Sequence, residues 1–189
     1  MTTEELYKEL DYVDHTREKR LFYANLVIKN PDLLPKLLDI FFMVNDKISP
    51  RAAWVIEYVA RRDITKLLPY IDNFISKIDT LQLDSSIRPA AKICEVLVSA
   101  YYGKSTSPVK QILKPFHLEK IAETCFDWLI QKQKVAVKAH SMLALYLLGN
   151  QFEWIHSELK LTLEKGFKNE SAAYKARARH ILRKLKKKS

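Results

Sequence analysis

Glu153-Trp154-Ile155-His156 sets a carboxylate and an imidazole three residues apart, a spacing that puts both on one face of a helix. Di-iron bundles use that spacing, but they need two such motifs and further glutamates, and this chain has one. His140 stands on what reads as a neighbouring helix, yet no Cys or carboxylate set joins it to His156 as a zinc site would require. Asp14-His15 sits at a helix start and reads as a cap. Cys94 and Cys125, the only cysteines, lie in apolar helical runs beside Ile93 and Phe126 and read as buried free thiols. No Ser occupies a Gly-flanked elbow, so acyl transfer lacks its nucleophile. Three glycines in 189 residues disfavour phosphate-cradling loops and Rossmann turns, which need positive φ or close backbone approach. No cofactor and no metal are expected, and no catalytic residue is named.

The chemistry left is that of charge. The net charge is +10, and residues 1–95 hold 14 Lys and Arg against 15 Asp and Glu, whereas residues 96–189 hold 18 against 7. The last fifteen residues carry Lys175, Arg177, Arg179, Arg183, Lys184, Lys186, Lys187 and Lys188 and no acid. This asymmetry points to an acidic macromolecular partner, protein or nucleic acid. For the tail 184–189 a solvated helix end is the alternative, because bases favour a helix C-terminus through its dipole.

The elements that carry these bases recur. Arg51-Ala52-Ala53-Trp54-Val55, Arg88-Pro89-Ala90-Ala91-Lys92, Lys138-Ala139-His140-Ser141-Met142 and Lys175-Ala176-Arg177-Ala178-Arg179 each open with a base and small residues. The leading bases lie 37, 50 and 37 residues apart. Two equal steps and one longer step describe a two-helix repeat with one insertion, hence a stacked solenoid. The insertion falls near 104–115, where Ser, Thr, Pro and Lys replace the apolar pattern.

Periodicity predicts helices over 3–12 with Thr3 as N-cap, over 16–29 with Leu21, Phe22, Leu26 and Ile28 inward, and from Asp32 through Phe42. Ser49-Pro50 opens the next as N-cap and first residue. Asp63 caps a run that Pro69 must kink or break. Asp84-Ser85-Ser86 caps the Arg88 helix and Gly103 ends it. Helices follow over 117–131, 135–148, 151–165 and 171–187, the 135–148 segment being apolar on most faces and therefore central. The prediction is an all-α chain, a single helical-repeat domain over 1–189, with no strand.

A base followed by small residues and then a β-branched or Leu run, in the second helix of an antiparallel pair, resembles HEAT-type (armadillo-type) repeats. Arg51-Ala52-Ala53, Arg88-Pro89-Ala90-Ala91 and Lys138-Ala139-His140 carry the likeness, over about residues 30–189. It departs from the family in the 104–115 insertion and in lacking a consistent Asp before each second helix. The resemblance implies a right-handed α-α superhelix of about five antiparallel pairs whose second helices line the concave face. It would set Arg51, Arg88, Lys92, Lys138, Lys175 and Arg179 near one inner surface, able to track phosphates by releasing counterions.

The architecture is also similar to that of the DNA alkylation-repair glycosylases. They need aromatic groups and a carboxylate facing the duplex to hold a cationic nucleotide; the candidates are Trp54 with Glu57, Trp128 with Asp127, and Trp154 with Glu153. The all-helical lyases of the fumarase and adenylosuccinate group are not supported. They are more than twice as long and carry a Gly-Ser-rich loop ending in a Met-Pro-x-Lys-x-Asn-like signature, of which Ser105-Thr106-Ser107-Pro108-Val109-Lys110 has neither the start nor the Asn. The expected function is that of a non-enzymatic scaffold binding a macromolecule through a curved, partly basic surface, the alternative being a DNA-binding protein of the glycosylase type. Met1-Thr2-Thr3-Glu4-Glu5 has no basic segment followed by an apolar one, so no secretory signal is expected. Nor is a membrane span, and the cytoplasm is the expected location.

Overall fold

A computed structural model describes residues 1–103 and 107–187. Among them it shows eleven α-helices and no strand. The first four are α1 (Thr3–Leu10), α2 (Arg17–Lys29), α3 (Leu33–Phe41) and α4 (Ser49–Arg62). A 3-10 segment (Ile64–Tyr70) leads into α5 (Ile71–Lys77), and α6 (Asp84–Tyr101) and α7 (Pro108–Ile112) follow. The chain ends with α8 (Pro115–Ile130), α9 (Val135–Leu148), α10 (Glu153–Gly166) and α11 (Ala172–Lys186). None is long and apolar enough to cross a membrane.

The helices form two layers. In one, α2, α4, α6, α9 and α11 pack each on the next, with the broadest contacts between α4, α6 and α9. In the other, α1 lies on α3 and α5 on α8, while α8 and α10 both rest on α9. Helices joined by connections as short as residues 131–134 and packed side by side run antiparallel. Such neighbour-to-neighbour packing fits a helical-repeat architecture. As its apolar faces require, α9 is central: it touches α6, α8, α10 and α11.

The 37-residue step is visible as contact between equivalent residues. The hydroxyls of Ser49 and Ser86 meet at 3.2 Å, the Asn45 side chain donates to that of Gln82 at 2.9 Å, and Arg62 donates to Asn25. Each pair is 37 residues apart. The small residues Ala52, Ala53, Ala90 and Ala91 are fully buried, which lets neighbouring helix backbones approach.

Several boundaries and faces differ from expectation. Thr2, not Thr3, caps α1, in a reciprocal pair with Glu5. Ser49 lies inside α4 and its hydroxyl faces Ser86 rather than capping, and Asp84 is already helical. In α2 the buried residues are Tyr23, Ala24 and Val27, while Phe22 is 63% exposed. Pro69 acts as expected: lacking an N–H, it divides its run into the 3-10 segment and α5. The insertion holds α7, whose Val109 is fully buried; Lys104, Ser105 and Thr106 lie outside the described residues, as does Lys188 of the basic tail.

Candidate functional site

The six bases singled out by the repeat divide into two groups. Four engage carboxylates. Arg51 of α4 donates to the Asp11 side chain and backbone carbonyl, behind α1. Arg88 of α6 lies 3.5 Å from the Glu57 carboxylate on α4, which Arg61 approaches at 3.4 Å. Lys92 reaches Glu95 at 2.6 Å within α6. Lys138 of α9 is buried, paired with Glu170 just before α11, and its ammonium stands 5.8 Å from the Tyr174 ring centre.

The pairs of Arg51, Arg88 and Lys138 tie different elements together. Glu95 shows the electrostatics: burial opposes its charge, but hydrogen bonds from His140, at 2.6 Å, and Lys92 prevail, and the carboxyl sits below its ordinary range. A carboxylate that accepts two charge-assisted bonds is favoured in its ionised form.

The other two bases, Lys175 and Arg179, have no carboxylate partner among the described residues. They belong to α11, which contains Lys175, Arg177, Arg179, Arg183, Lys184 and Lys186 and no acid. Ser171 caps the helix, accepting from the Tyr174 N–H at 3.2 Å. Tyr174, Ala178, Ile181 and Leu185 turn inward, one residue every three or four, Lys175, Arg177, Leu182 and Lys184 flank them half-buried, and the opposite face meets solvent. The exposed stripe runs through Ala172, Ala173 and Ala176 to Arg179, His180, Arg183 and Lys186. It holds no large apolar group.

The crowding of positive charge is felt locally. Desolvation, then Lys184, Arg177 and Arg183, push the His180 imidazole below its ordinary value. The Nε of Arg177 is buried without a hydrogen-bond acceptor. Between α10 and α11 lies a cleft of about 280 Å³, with Leu182 and Leu185 in its wall and Lys160, Arg179, Arg183 and Lys186 around it, relieved by Glu164 alone. An apolar wall ringed by cations suits an anionic group attached to an apolar or stacked body.

The other sequence candidates are structural. His156 donates its Nε2 proton to the Tyr146 carbonyl at 2.9 Å and stacks on the Tyr146 ring, while Glu153 is exposed; the pair does not converge. His140 is committed to Glu95. No group of three His, Cys, Asp or Glu among the described residues could hold a metal. Asp14 accepts from the Thr16 N–H and hydroxyl and from Lys19, which lower its carboxyl to about 2. Cys94 and Cys125 are buried and free, and burial raises both thiols.

Of the aromatic–carboxylate pairs, Trp54 is covered by the Arg20 guanidinium at 4.5 Å and Glu57 is held by two arginines. Trp128 is buried. Trp154 is exposed on α10, in the other layer.

His117 escaped the sequence reading. It is buried at the start of α8, its Nδ1 accepting the Lys114 N–H at 3.1 Å and its Nε2 donating to Asp72 at 2.7 Å. Lys114-Pro115-Phe116-His117 is the signal that could have found it, a helix start with an acceptor three residues in. Comparison with protein-family models, with curated proteins and with solved structures finds no match to this chain.

Proposed function

We propose that this chain is a non-enzymatic helical-repeat scaffold, of the HEAT type, that holds an acidic macromolecule against its C-terminal helix. The observation that carries the reading is the contrast between layers of charge. The leading bases of α4, α6 and α9, namely Arg51, Arg88, Lys92 and Lys138, face the carboxylates of Asp11, Glu57, Glu95 and Glu170, whereas α11 presents its bases with no acid of its own. Neutralised bases contribute little to an external field, and unpaired ones focus it. The layer of α4, α6, α9 and α11 packs the more tightly, which supports its lying on the inside of the curve.

The test is binding of duplex DNA, with polyglutamate as competitor, by the full chain and by the triple variant R179E/R183E/K186E. These side chains are exposed, so the variant keeps its fold. Each lost phosphate contact flattens the salt dependence by roughly one unit. The expected outcome is tight, salt-sensitive binding by the full chain that the variant loses. Equal binding by both would refute the placement on α11, and preference for polyglutamate would make the partner an acidic protein.

Reversing Arg88 and Lys138 is the poorer experiment, because it strips Glu57 and Glu170 of their counter-charges and damages the fold. A glycosylase would have to bring Trp54 and Glu57 to the duplex, and arginines occupy both. Release of an alkylated base above the uncatalysed rate would favour that enzyme instead.

A further inference from the structure

The second half of the chain holds only seven acids against eighteen bases. Five of the seven, Glu119, Glu123, Asp127, Glu153 and Glu158, sit on α8 and α10, all exposed, and none makes an ion pair among the described residues. Between them the two helices share an aromatic stack: Phe126 and Trp154 lie 5.6 Å apart at 23°. Trp154 is nonetheless 56% exposed, Ile130 65% and Leu161 50%.

Helix geometry draws these groups together. Glu123 precedes Phe126 by three residues and Ile130 follows it by four; Glu158 and Leu161 follow Trp154 by four and seven. An exposed apolar centre with a mostly acidic rim is the pattern of an interaction surface rather than of a stray surface residue. Lys165, one turn beyond Leu161, is the base on this face of α10.

We propose that this face of α8 and α10 docks a basic amphipathic helix of a partner protein, its apolar side chains on Phe126, Trp154 and Ile130 and its Lys or Arg side chains paired with the five carboxylates. The outer face of the Trp154 ring suits a cation held above it. The charge argues for the sign of the partner: acids gathered in the most basic half of the molecule repel an acidic one. A second copy of this chain fits less well. Its basic helix α11 exposes alanines and bases but no large apolar group to cover Trp154, and two chains of net charge +10 repel.

The experiment uses two synthetic helical peptides of one pattern, Leu with Lys and Leu with Glu, titrated against the full-length chain. Trp128 is buried and Trp54 lies under Arg20, so a blue shift of tryptophan emission reports on Trp154. We expect the Leu–Lys peptide to bind and shift the emission and the Leu–Glu peptide to do neither. By calorimetry, W154A weakens the Leu–Lys peptide about tenfold or more, and E123K/D127K/E158K inverts the preference. Undiminished binding to W154A, a preference that survives charge reversal, or no saturable binding of the Leu–Lys peptide would each overturn the proposal. Concentration-dependent self-association abolished by W154A would overturn it too, by giving the face to a second copy.

Discussion

At the scale of single residues, Gly149 shows why position and conformation must be read together. The sequence marks it as the end of α9, and it is the C-cap. Its φ of −62° is ordinary helix, so no left-handed turn demands glycine. The demand is steric: a Cβ there would stand 2.0 Å from the His156 ring. We expect Gly149→Ala to destabilise by about 1–3 kcal/mol through overpacking, measured by urea unfolding. In a His156→Ala background the same change should cost nothing; a persisting cost would show a backbone cause. His180 offers a second test. Bound polyanion neutralises Lys184, Arg177 and Arg183, which favours the charged imidazole. Its NMR-detected pKa should therefore rise on adding DNA, and an unmoved value would place the ligand elsewhere.

Titration extends to Tyr23, Tyr102 and Tyr174, which burial above all pushes up to about 12 from an ordinary 10.0. The unfolded chain loses these protons near 10. The stability they contribute is thus whole below pH 10 and lost as pH rises toward 12. Glu95 works in the opposite sense: with its carboxyl depressed, its contribution is present above the ordinary 4.5 and lost as pH falls through the folded value. Chemical denaturation across both limbs should show Glu95→Gln flattening the acid side and leaving the alkaline side unchanged.

Elements were legible where hydrophobic period and stop signals agreed. Helix α9 spans Val135–Leu148 as its apolar run and Gly149 require. In α2, Leu21-Phe22-Tyr23-Ala24 offers two adjacent stripes, and only tertiary packing selects Tyr23 over Phe22: the Tyr23 hydroxyl reaches Glu9 of α1 at 3.0 Å. The bases were legible too, but their partners were not. Glu170 lies 32 residues from Lys138, and nothing local in the sequence joins them. That pair clasps α11 to α9. Removing the Glu170 carboxylate leaves Lys138 buried without its counter-charge; we expect Glu170→Gln to cost about 1–3 kcal/mol and to raise amide exchange in α11 first. Uniform exchange across all helices would show that the clasp is not local.

At the scale of the whole molecule, α11 lies at one edge of the tighter layer. Each helix of the tighter layer leans on the next, and a unit of this kind could in principle repeat without limit. The stripe of α11 facing outward, Ala172 to Lys186, has no large apolar group for a further helix to cover. The unpaired bases thus also make this a charged face, which disfavours the stacking of one molecule on another. Open-ended contacts between complementary surfaces grow into fibres, and leucines in place of Arg179, Arg183 and Lys186 would remove the barrier. Light scattering should then report concentration-dependent growth into filaments, and no such growth is expected of the native sequence.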